Sequence, residues 1–253
     1  LAEDKAHFGG SLLNDDVTIG NMSGREWASD VISQLKNMPN VIVKNRSQVF
    51  GYYDHNMTVM FERVSDHLEN PSKYTPRQRL HYIRAGEVIV STGSIERPIS
   101  FGNNDRPGIF LSSAAREYMK VYDTLVGKKP IIFTNNDSAY ATALEFIKND
   151  INPIIVDTRD GSDGQLVKEV QDLDIKIRFK SGIANTKGHL KIKSATIGTL
   201  DSEKEKFTAL EEIDCDCICM SGGWTPTVHL SSQAGNKLKF KEEIDAYVPD
   251  QKR

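Results

Sequence analysis

Apolar runs with a period of two dominate the first hundred residues of the chain, after a single helical stripe. Residues 24–38 carry apolar side chains at helical spacing, so we predict an amphipathic helix there. The β-type runs that follow lie at 41–43, 48–53, 57–61 and 81–90, the last with a turn at Ala85-Gly86. This pattern predicts an antiparallel meander in the first part of the chain.

Helical and β-type segments alternate after residue 110. We predict helices at 114–122, 138–148 and 165–173, strands at 130–133, 153–156, 175–179 and 214–220, and a hairpin at 187–207. Ser112 or Ser113 is predicted to cap the first of these helices. Such alternation indicates a parallel sheet with helices packed against it.

Two strand ends with small residues flank a βαβ unit at 129–157. The run 88–98 reaches Thr92-Gly93, and the run 219–226 reaches Gly222-Gly223. Most such pairs are ordinary turns, but small residues also let a cofactor approach the backbone. Because the two pairs occur in the expected order around the βαβ unit, we predict that Thr92 and Gly93 contact a cofactor.

These elements predict an α/β fold with two Rossmann-like dinucleotide-binding subdomains of the FAD/NAD(P)-binding, disulfide-reductase-like type. An antiparallel β-meander is attached to them, and the first βαβ unit is incomplete. The predicted first domain is partial and comprises 1–110 and 210–253, and the second comprises 111–209.

The turn of the βαβ unit, at 134–139, contains no glycine. Backbone amides in such a turn cannot approach a diphosphate closely. Asp157 nevertheless follows at the distance expected of a ribose-binding carboxylate. We therefore interpret the second domain as Rossmann-like with a degenerate nucleotide turn.

The first residues offer another candidate site. A carboxylate of Glu3 or Asp4 could accept hydrogen bonds from an adenosine ribose, and the Gly9-Gly10 turn could pass close to a diphosphate. A solvated acidic segment explains the same residues equally well. The glycine-rich turn of such a unit would lie roughly 20 residues earlier, so we expect this chain to be part of a longer polypeptide.

Composition narrows the functional classes. Hydrophobic residues make up 38% and charged residues 26% of the chain, as in a soluble globular protein, and the net charge of −3 gives no indication of nucleic-acid binding. The sequence shows neither a membrane-spanning run nor a signal peptide. We expect a cytoplasmic protein with neither nucleic acid nor membrane as a partner.

The cysteines Cys215, Cys217 and Cys219 alternate, which predicts three buried thiols on one face of a strand. Their spacing suits neither a C-x-x-C redox pair nor a zinc site. The sequence also shows no nucleophile elbow, Walker loop or cluster of metal ligands. We therefore predict no catalytic and no metal-binding residue.

Three stretches of the chain are distinctive: Asn-Asp-Arg-Pro-Gly at 104–108, the glycine-poor turn at 134–140 and Gly-Gly-Trp-Thr-Pro-Thr-Val-His at 222–229. Together with other motifs along essentially the whole chain, they resemble the α subunit of heterotetrameric sarcosine oxidase. The resemblance implies a disulfide-reductase-like region that binds NAD. It further implies β, γ and δ subunits as partners, FAD in the β subunit, and FMN at the α–β interface. The implied reaction converts sarcosine to glycine, with hydrogen peroxide and formaldehyde or methylenetetrahydrofolate.

The resemblance also assigns individual residues. The ribose-binding acidic pair of the family corresponds to Glu3 and Asp4, and its next basic position to Lys5. The hydroxyl after the glycine pair corresponds to Ser11, and the contact near the adenine to Val49. We expect this segment alone to be inactive, because substrate oxidation is carried by the β subunit in that family.

Two alternatives stay open. The chain could belong to a related FAD-dependent dehydrogenase of amines or amino acids, acting on opines, proline or glycine. It could also be a non-catalytic nucleotide-binding module used in assembly, since the sequence offers no acid–base residues for catalysis.

Overall fold

The computed structural model describes residues 1–201 and 206–250. The chain divides into two compact units. The first unit is formed by Leu1–Ile95 together with Thr225–Arg253, and the second by Glu96–Trp224. The second unit is therefore inserted, in sequence, between two parts of the first.

Both units contain helices as well as strands. The helices are α1 (Gly24–Asn37), α2 (Ser112–Tyr122), α3 (Tyr140–Lys148), α4 (Gln165–Asp172) and α5 (His229–Gln233). The first strands are β1 (Thr18–Ile19), β2 (Met22–Ser23), β3 (Ser47–Tyr53), β4 (Met57–Arg63), β5 (Gln78–Arg84), β6 (Ser94–Glu96), β7 (Ile109–Leu111), β8 (Pro130–Thr134) and β9 (Ile154–Asp157). The others are β10 (Ile177–Arg178), β11 (Ser181–Gly188), β12 (Ile192–Asp201), β13 (Lys206–Asp214), β14 (Cys217–Ser221), β15 (Trp224–Pro226), β16 (Leu238–Lys241) and β17 (Ala246–Pro249).

The first unit contains the predicted helix and meander. Helix α1 begins with a capping box in which Ser23 and Glu26 bind each other's backbone amides. Strands β3, β4 and β5 form an antiparallel sheet in which Met60 lies opposite both Val49 and His81. Strands β16 and β17 form a separate antiparallel hairpin. The predictions of α1 and of the meander are thus confirmed.

Two apolar runs that were predicted as strands are irregular. Residues 41–43 lie outside any strand, and so does 88–90. The latter run has no ladder partner among the described residues, and the Ile89 side chain is 90% exposed. A strand is stabilised by pairing with a neighbouring strand, and apolar sequence alone does not supply one. The prediction that Thr92-Gly93 ends a buried strand is wrong for this reason.

The second unit is a three-layer α/β structure. Its central sheet is parallel, with strand order β10-β9-β8-β14-β7. One face packs against helices α2, α3 and α4 through a cluster that includes Ile132, Tyr140 and Phe146. The opposite face packs against the antiparallel sheet β11-β12-β13 through a cluster that includes Ile131 and Ile197. Neighbours such as Ile131 and Ile132 thus enter different cores, as the pleat of a strand requires.

Several boundaries in the second unit differ from the sequence prediction. The predicted hairpin at 187–207 is part of a three-stranded sheet, and its residues 202–205 lie outside the described residues. The cap predicted at Ser112 or Ser113 is wrong, because α2 begins at Ser112. The buried Glu96 carboxylate instead accepts hydrogen bonds from Ser113 N and Oγ, at 2.8 and 2.6 Å. A carboxylate that is distant in sequence thereby accepts a hydrogen bond from a free backbone amide at the start of α2, as a capping residue would.

The three cysteines are buried, as predicted, but they do not share one face. Cys217 and Cys219 belong to the helix-side core, whereas Cys215 belongs to the opposite core. The chain crosses from β13 to β14 at Asp216, whose carboxylate accepts hydrogen bonds from Lys128 N and Lys129 N. Cys215 therefore precedes the strand on which the other two alternate.

Candidate functional site

The predicted acidic pair lies beside the start of β3 in the first unit. Glu3 N donates to Lys44 O at 2.9 Å, and Ser47 N donates to Glu3 O at 2.8 Å. The Glu3 carboxylate accepts a hydrogen bond from Lys5 N at 2.8 Å, which orients it along its own chain. Asp4 forms a 3.0 Å ion pair with Arg63. The structure thus brings Glu3, Asp4 and Lys5 together next to the meander.

The glycine pair makes a tight turn close to α1. Gly9 and Gly10 have φ angles of 127° and 54°, a region that favours glycine, and a Cβ on Gly9 would lie 3.2 Å from the Ala28 Cβ. Ser11 follows on the exposed side of a short 3-10 turn, Gly10–Leu13. Val49 is half-buried on β3, opposite Met60.

A cavity of about 410 Å³ lies within the first unit. Residues 88–93 and 226–228 form most of its wall. Hydrogen bonds at Thr92 and Gly93 join these two segments. Thr92 Oγ1 donates to Thr227 O at 2.7 Å, and Thr227 N donates to Gly93 O at 2.9 Å. The lining residues are Tyr52, Val88, Val90, Ser91, Thr92, Gly93, Pro226, Thr227, Val228, Ser231, Asn236 and Pro249.

Gly93 is suited to the wall of this cavity for two reasons. Its φ of 65° is strained for other residues, and no heavy atom lies within 4 Å of the position that a Cβ would take. The space beside Gly93 is therefore open, as a ligand approaching the backbone would require. The chemical character of the wall follows from its side chains: valine and proline alternate with hydroxyl and amide groups, and none of the lining residues is charged. A mostly apolar wall with a few polar groups is typical of small-molecule binding sites.

The predicted site residues thus fall into two groups. Thr92 and Gly93 line the cavity, whereas Glu3, Asp4 and Lys5 cluster at the start of β3, and Ser11 and Val49 lie outside the lining. Sequence reasoning did not single out Tyr52, Ser231 or Asn236. Tyr52 lies three residues after Val49 in the predicted β-type run 48–53, so the sequence did contain a signal for it.

The glycine-free turn at 134–139 in the second unit is held by its own side chains and by two neighbouring residues, Ser221 and Trp224. Asn136 Oδ1 accepts hydrogen bonds from Ser138 N and Oγ, and Asn136 Nδ2 donates to Ser221 O. Trp224 Nε1 donates to Ser138 Oγ at 2.9 Å. The polar side chains of Asn136 and Ser138 are therefore satisfied by hydrogen bonds within the protein.

Neither a metal centre nor a membrane segment is found in the part of the chain that the structure describes. No group of three or more histidine, cysteine or carboxylate side chains there could hold a metal ion. None of the described helices has both the length and the apolar character needed to traverse a bilayer.

Comparison with known proteins connects this chain to one kind of enzyme subunit. No family model matches it. The sarcosine oxidase subunit alpha of Rhizobium meliloti (strain 1021) is 34% identical over 255 residues, which cover 98% of this chain and 24% of that protein. The predicted resemblance to the sarcosine oxidase α subunit is confirmed. The corresponding subunit of Corynebacterium sp. (strain U-96) is 31% identical over 98% of this chain and 26% of its own length. This chain thus spans about a quarter of the sarcosine oxidase α subunits that it matches.

Solved structures agree on the fold. L-proline dehydrogenase from P. horikoshii matches with a TM-score of 0.66 at 20% identity, over 100% of this chain and 42% of that one. Thioredoxin reductase from T. acidophilum matches with a TM-score of 0.67 at 13% identity, over 94% and 73% of the two chains. At such low identity the likeness concerns the fold alone. It confirms the predicted α/β fold.

Proposed function

We propose that this chain is the NAD-binding region of the α subunit of a heterotetrameric sarcosine oxidase. The similarity to sarcosine oxidase α subunits along the whole chain supports the complex, and the uncharged cavity at Thr92 and Gly93 is the observation that carries the binding role. Substrate oxidation takes place at FAD in the β subunit, with FMN at the α–β interface. The products are glycine, hydrogen peroxide and formaldehyde or methylenetetrahydrofolate.

Each predicted site residue has a part in this proposal. Glu3 and Asp4 accept hydrogen bonds from a ribose, and Lys5 both orients Glu3 through its amide and adds a positive charge nearby. Ser11 follows the glycine turn toward the diphosphate, and Val49 contacts the adenine. Thr92 and Gly93 contact the cofactor at the open space beside Gly93.

The two units of the structure have different tasks. The unit formed by Leu1–Ile95 with Thr225–Arg253 binds the nucleotide, and the unit Glu96–Trp224 is a structural Rossmann-like domain. The internally satisfied turn around Asn136 and Ser138 supports this division. The chain works in the cytoplasm with β, γ and δ subunits, and alone it does not oxidise an amine.

A non-catalytic nucleotide-binding module for assembly is the second candidate. The uncharged lining of the cavity favours it, because an acid or base is needed for most proton transfers. Both candidates bind a nucleotide, and amine turnover by the intact complex separates them. An amine-dependent release of hydrogen peroxide supports the oxidase and excludes the module.

The decisive experiment is isothermal titration of NAD, FAD and FMN against the intact protein, with Glu3→Ala as the variant. Hydrogen bonds to a charged group are worth about 1.5–3 kcal/mol, so losing the Glu3 carboxylate weakens NAD binding roughly tenfold or more. Glu69→Ala, an exposed glutamate of the same unit, is the matched control and retains the wild-type affinity. Unchanged NAD affinity in Glu3→Ala contradicts the proposed site, and tight FAD binding would indicate a self-contained flavin dehydrogenase.

A further inference from the structure

The carboxyl ends of β8 and β9 in the second unit hold a compact ionic network. Asp157, the last residue of β9, is fully buried. Arg159 Nε donates to its Oδ1 at 3.0 Å, and Arg159 Nη2 donates to its Oδ2 at 2.7 Å. This bidentate pairing is the strongest geometry available between a guanidinium and a carboxylate. It lies at the place where a Rossmann-type domain would bind a ribose.

The Asp157 carboxylate has no capacity left for a ligand. A carboxylate offers about four acceptor positions. Besides the two guanidinium bonds, Oδ1 accepts from Arg159 N at 3.0 Å, and Oδ2 accepts from the Tyr140 hydroxyl at 2.8 Å. Burial and the neighbouring Asp157 charge raise the pKa of Tyr140, so its hydroxyl stays protonated and continues to donate. A ribose would have to displace one of these donors from a buried carboxylate.

The turn that would face a diphosphate is occupied in the same way. Asp137, at the start of the helical turn before α3, places its Oδ1 at 2.7 Å from Arg159 Nη1 and accepts from Ser162 Oγ at 2.8 Å. A Cβ on Gly164 would collide with Asp137 Oδ2, so the 162–164 loop packs directly on this carboxylate. The amino terminus of a helix attracts an anion, and here that anion is the Asp137 carboxylate of the chain itself.

We propose that Arg159 closes the second unit to pyridine nucleotides. Its guanidinium links Asp157 and Asp137, the two carboxylates that stand at the ribose and diphosphate positions. Arg159 thus substitutes for the ligand, and the unit keeps its Rossmann-like core without its binding activity. This inference concerns the second unit alone and holds whether or not the first unit binds NAD.

Photolabelling with an azido-adenine derivative of NAD, followed by peptide mapping of the intact protein, tests the proposal. We expect the wild type to carry no label within 130–164. Arg159→Ala frees the Asp157 acceptors and gains at least tenfold in labelling there, which excess NAD suppresses. Arg178→Ala is the matched control, because Arg178 pairs with Glu211 elsewhere in the same unit, and its label map equals that of the wild type. Label within 1–95 reports on the proposed function separately.

Two results overturn the inference. One is wild-type labelling of 130–164 that Asp157→Asn abolishes, which would mean that the site is open. The other is a folded Arg159→Ala protein whose label map is unchanged. Because the alanine variant leaves a buried carboxylate without its cation, Arg159→Lys serves as the second variant. It retains the charge but cannot pair bidentately, so a smaller gain in labelling is expected, and a native protein without any gain also contradicts the proposal.

Discussion

Glu62 is the residue on which the ionic interactions of the meander converge. Lys44 Nζ lies 2.8 Å from Glu62 Oε1, and His81 Nε2 lies 2.6 Å from Glu62 Oε2, with Arg79 at 3.4 Å. Burial on its own raises the pKa of Glu62, but the hydrogen bonds and charges of Lys44 and His81 outweigh it. The net effect is a pKa below the usual value for glutamate.

This lowered pKa makes stability depend on pH. A carboxylate with a lowered folded-state pKa stabilises the fold above its unfolded-state pKa, near 4.3, and loses that contribution as the pH falls through the folded value. We expect Glu62→Gln to lower the melting temperature at pH 7 and to flatten its fall below about pH 4.3. Thermal unfolding between pH 3 and pH 7 measures this. Glu69→Gln should follow the wild-type curve, and a Glu62→Gln curve parallel to it would refute the assignment.

At the scale of elements, sequence periodicity correctly predicts those helices and strands that also have local signals such as caps. Helix α1 has both an apolar stripe and a cap at Ser23, and it begins and ends within a residue of the predicted range. The runs at 41–43 and 88–90 are equally apolar but lack a pairing strand, which no local pattern reveals. Cys215 lies before β14 and belongs to the other core, and the adjacent Asp216 binds the backbone at Lys128 and Lys129, almost ninety residues away.

The candidate site shows the same limit. Thr92 and Gly93 could be predicted because small residues at the end of an apolar run are visible in the sequence. Their neighbour Thr227 could not, since only the hydrogen bonds across 135 residues bring it to Thr92. Tyr52 and Asn236 reach the cavity in the same non-local way.

The capping box of α1 is open to direct measurement. Ser23→Ala removes both side-chain bonds to Glu26, so the free energy of unfolding should fall by about 0.5–2 kcal/mol in a chemical denaturation experiment. Ser29→Ala, at an exposed position inside the same helix, is the control and should change stability little. Equal effects of the two substitutions would mean that the cap does not stabilise α1.

At the scale of the whole molecule, the second unit has everything that an independent domain requires. Both of its apolar clusters are built entirely from residues between Ile99 and Met220. A domain with its own core can fold alone. The inserted position of Glu96–Trp224 in the sequence therefore does not make its stability depend on the flanking segments.

We accordingly expect residues 96–224, expressed alone, to unfold in one cooperative transition. Phe146, fully buried against the helices, is the probe of that core. Phe146→Ala should destabilise the isolated unit by about 3–5 kcal/mol, enough to broaden or abolish the transition. Calorimetric unfolding of the wild-type unit and of its Phe146→Ala variant tests both expectations. A wild-type unit that melts without a cooperative transition would show that it depends on the rest of the chain.

Because all three cysteines are buried, we expect the native protein to react very slowly with thiol-alkylating reagents. Burial raises the pKa of Cys215 to about 12, and the pKa of Cys219 lies well above its usual value because of Cys217 and burial. Since the thiolate is the reactive form, alkylation must wait for the second unit to open. The rate of alkylation would therefore report how often the second unit opens. A single cysteine introduced on the surface would take up a spectroscopic label alone, with no need to remove the native ones.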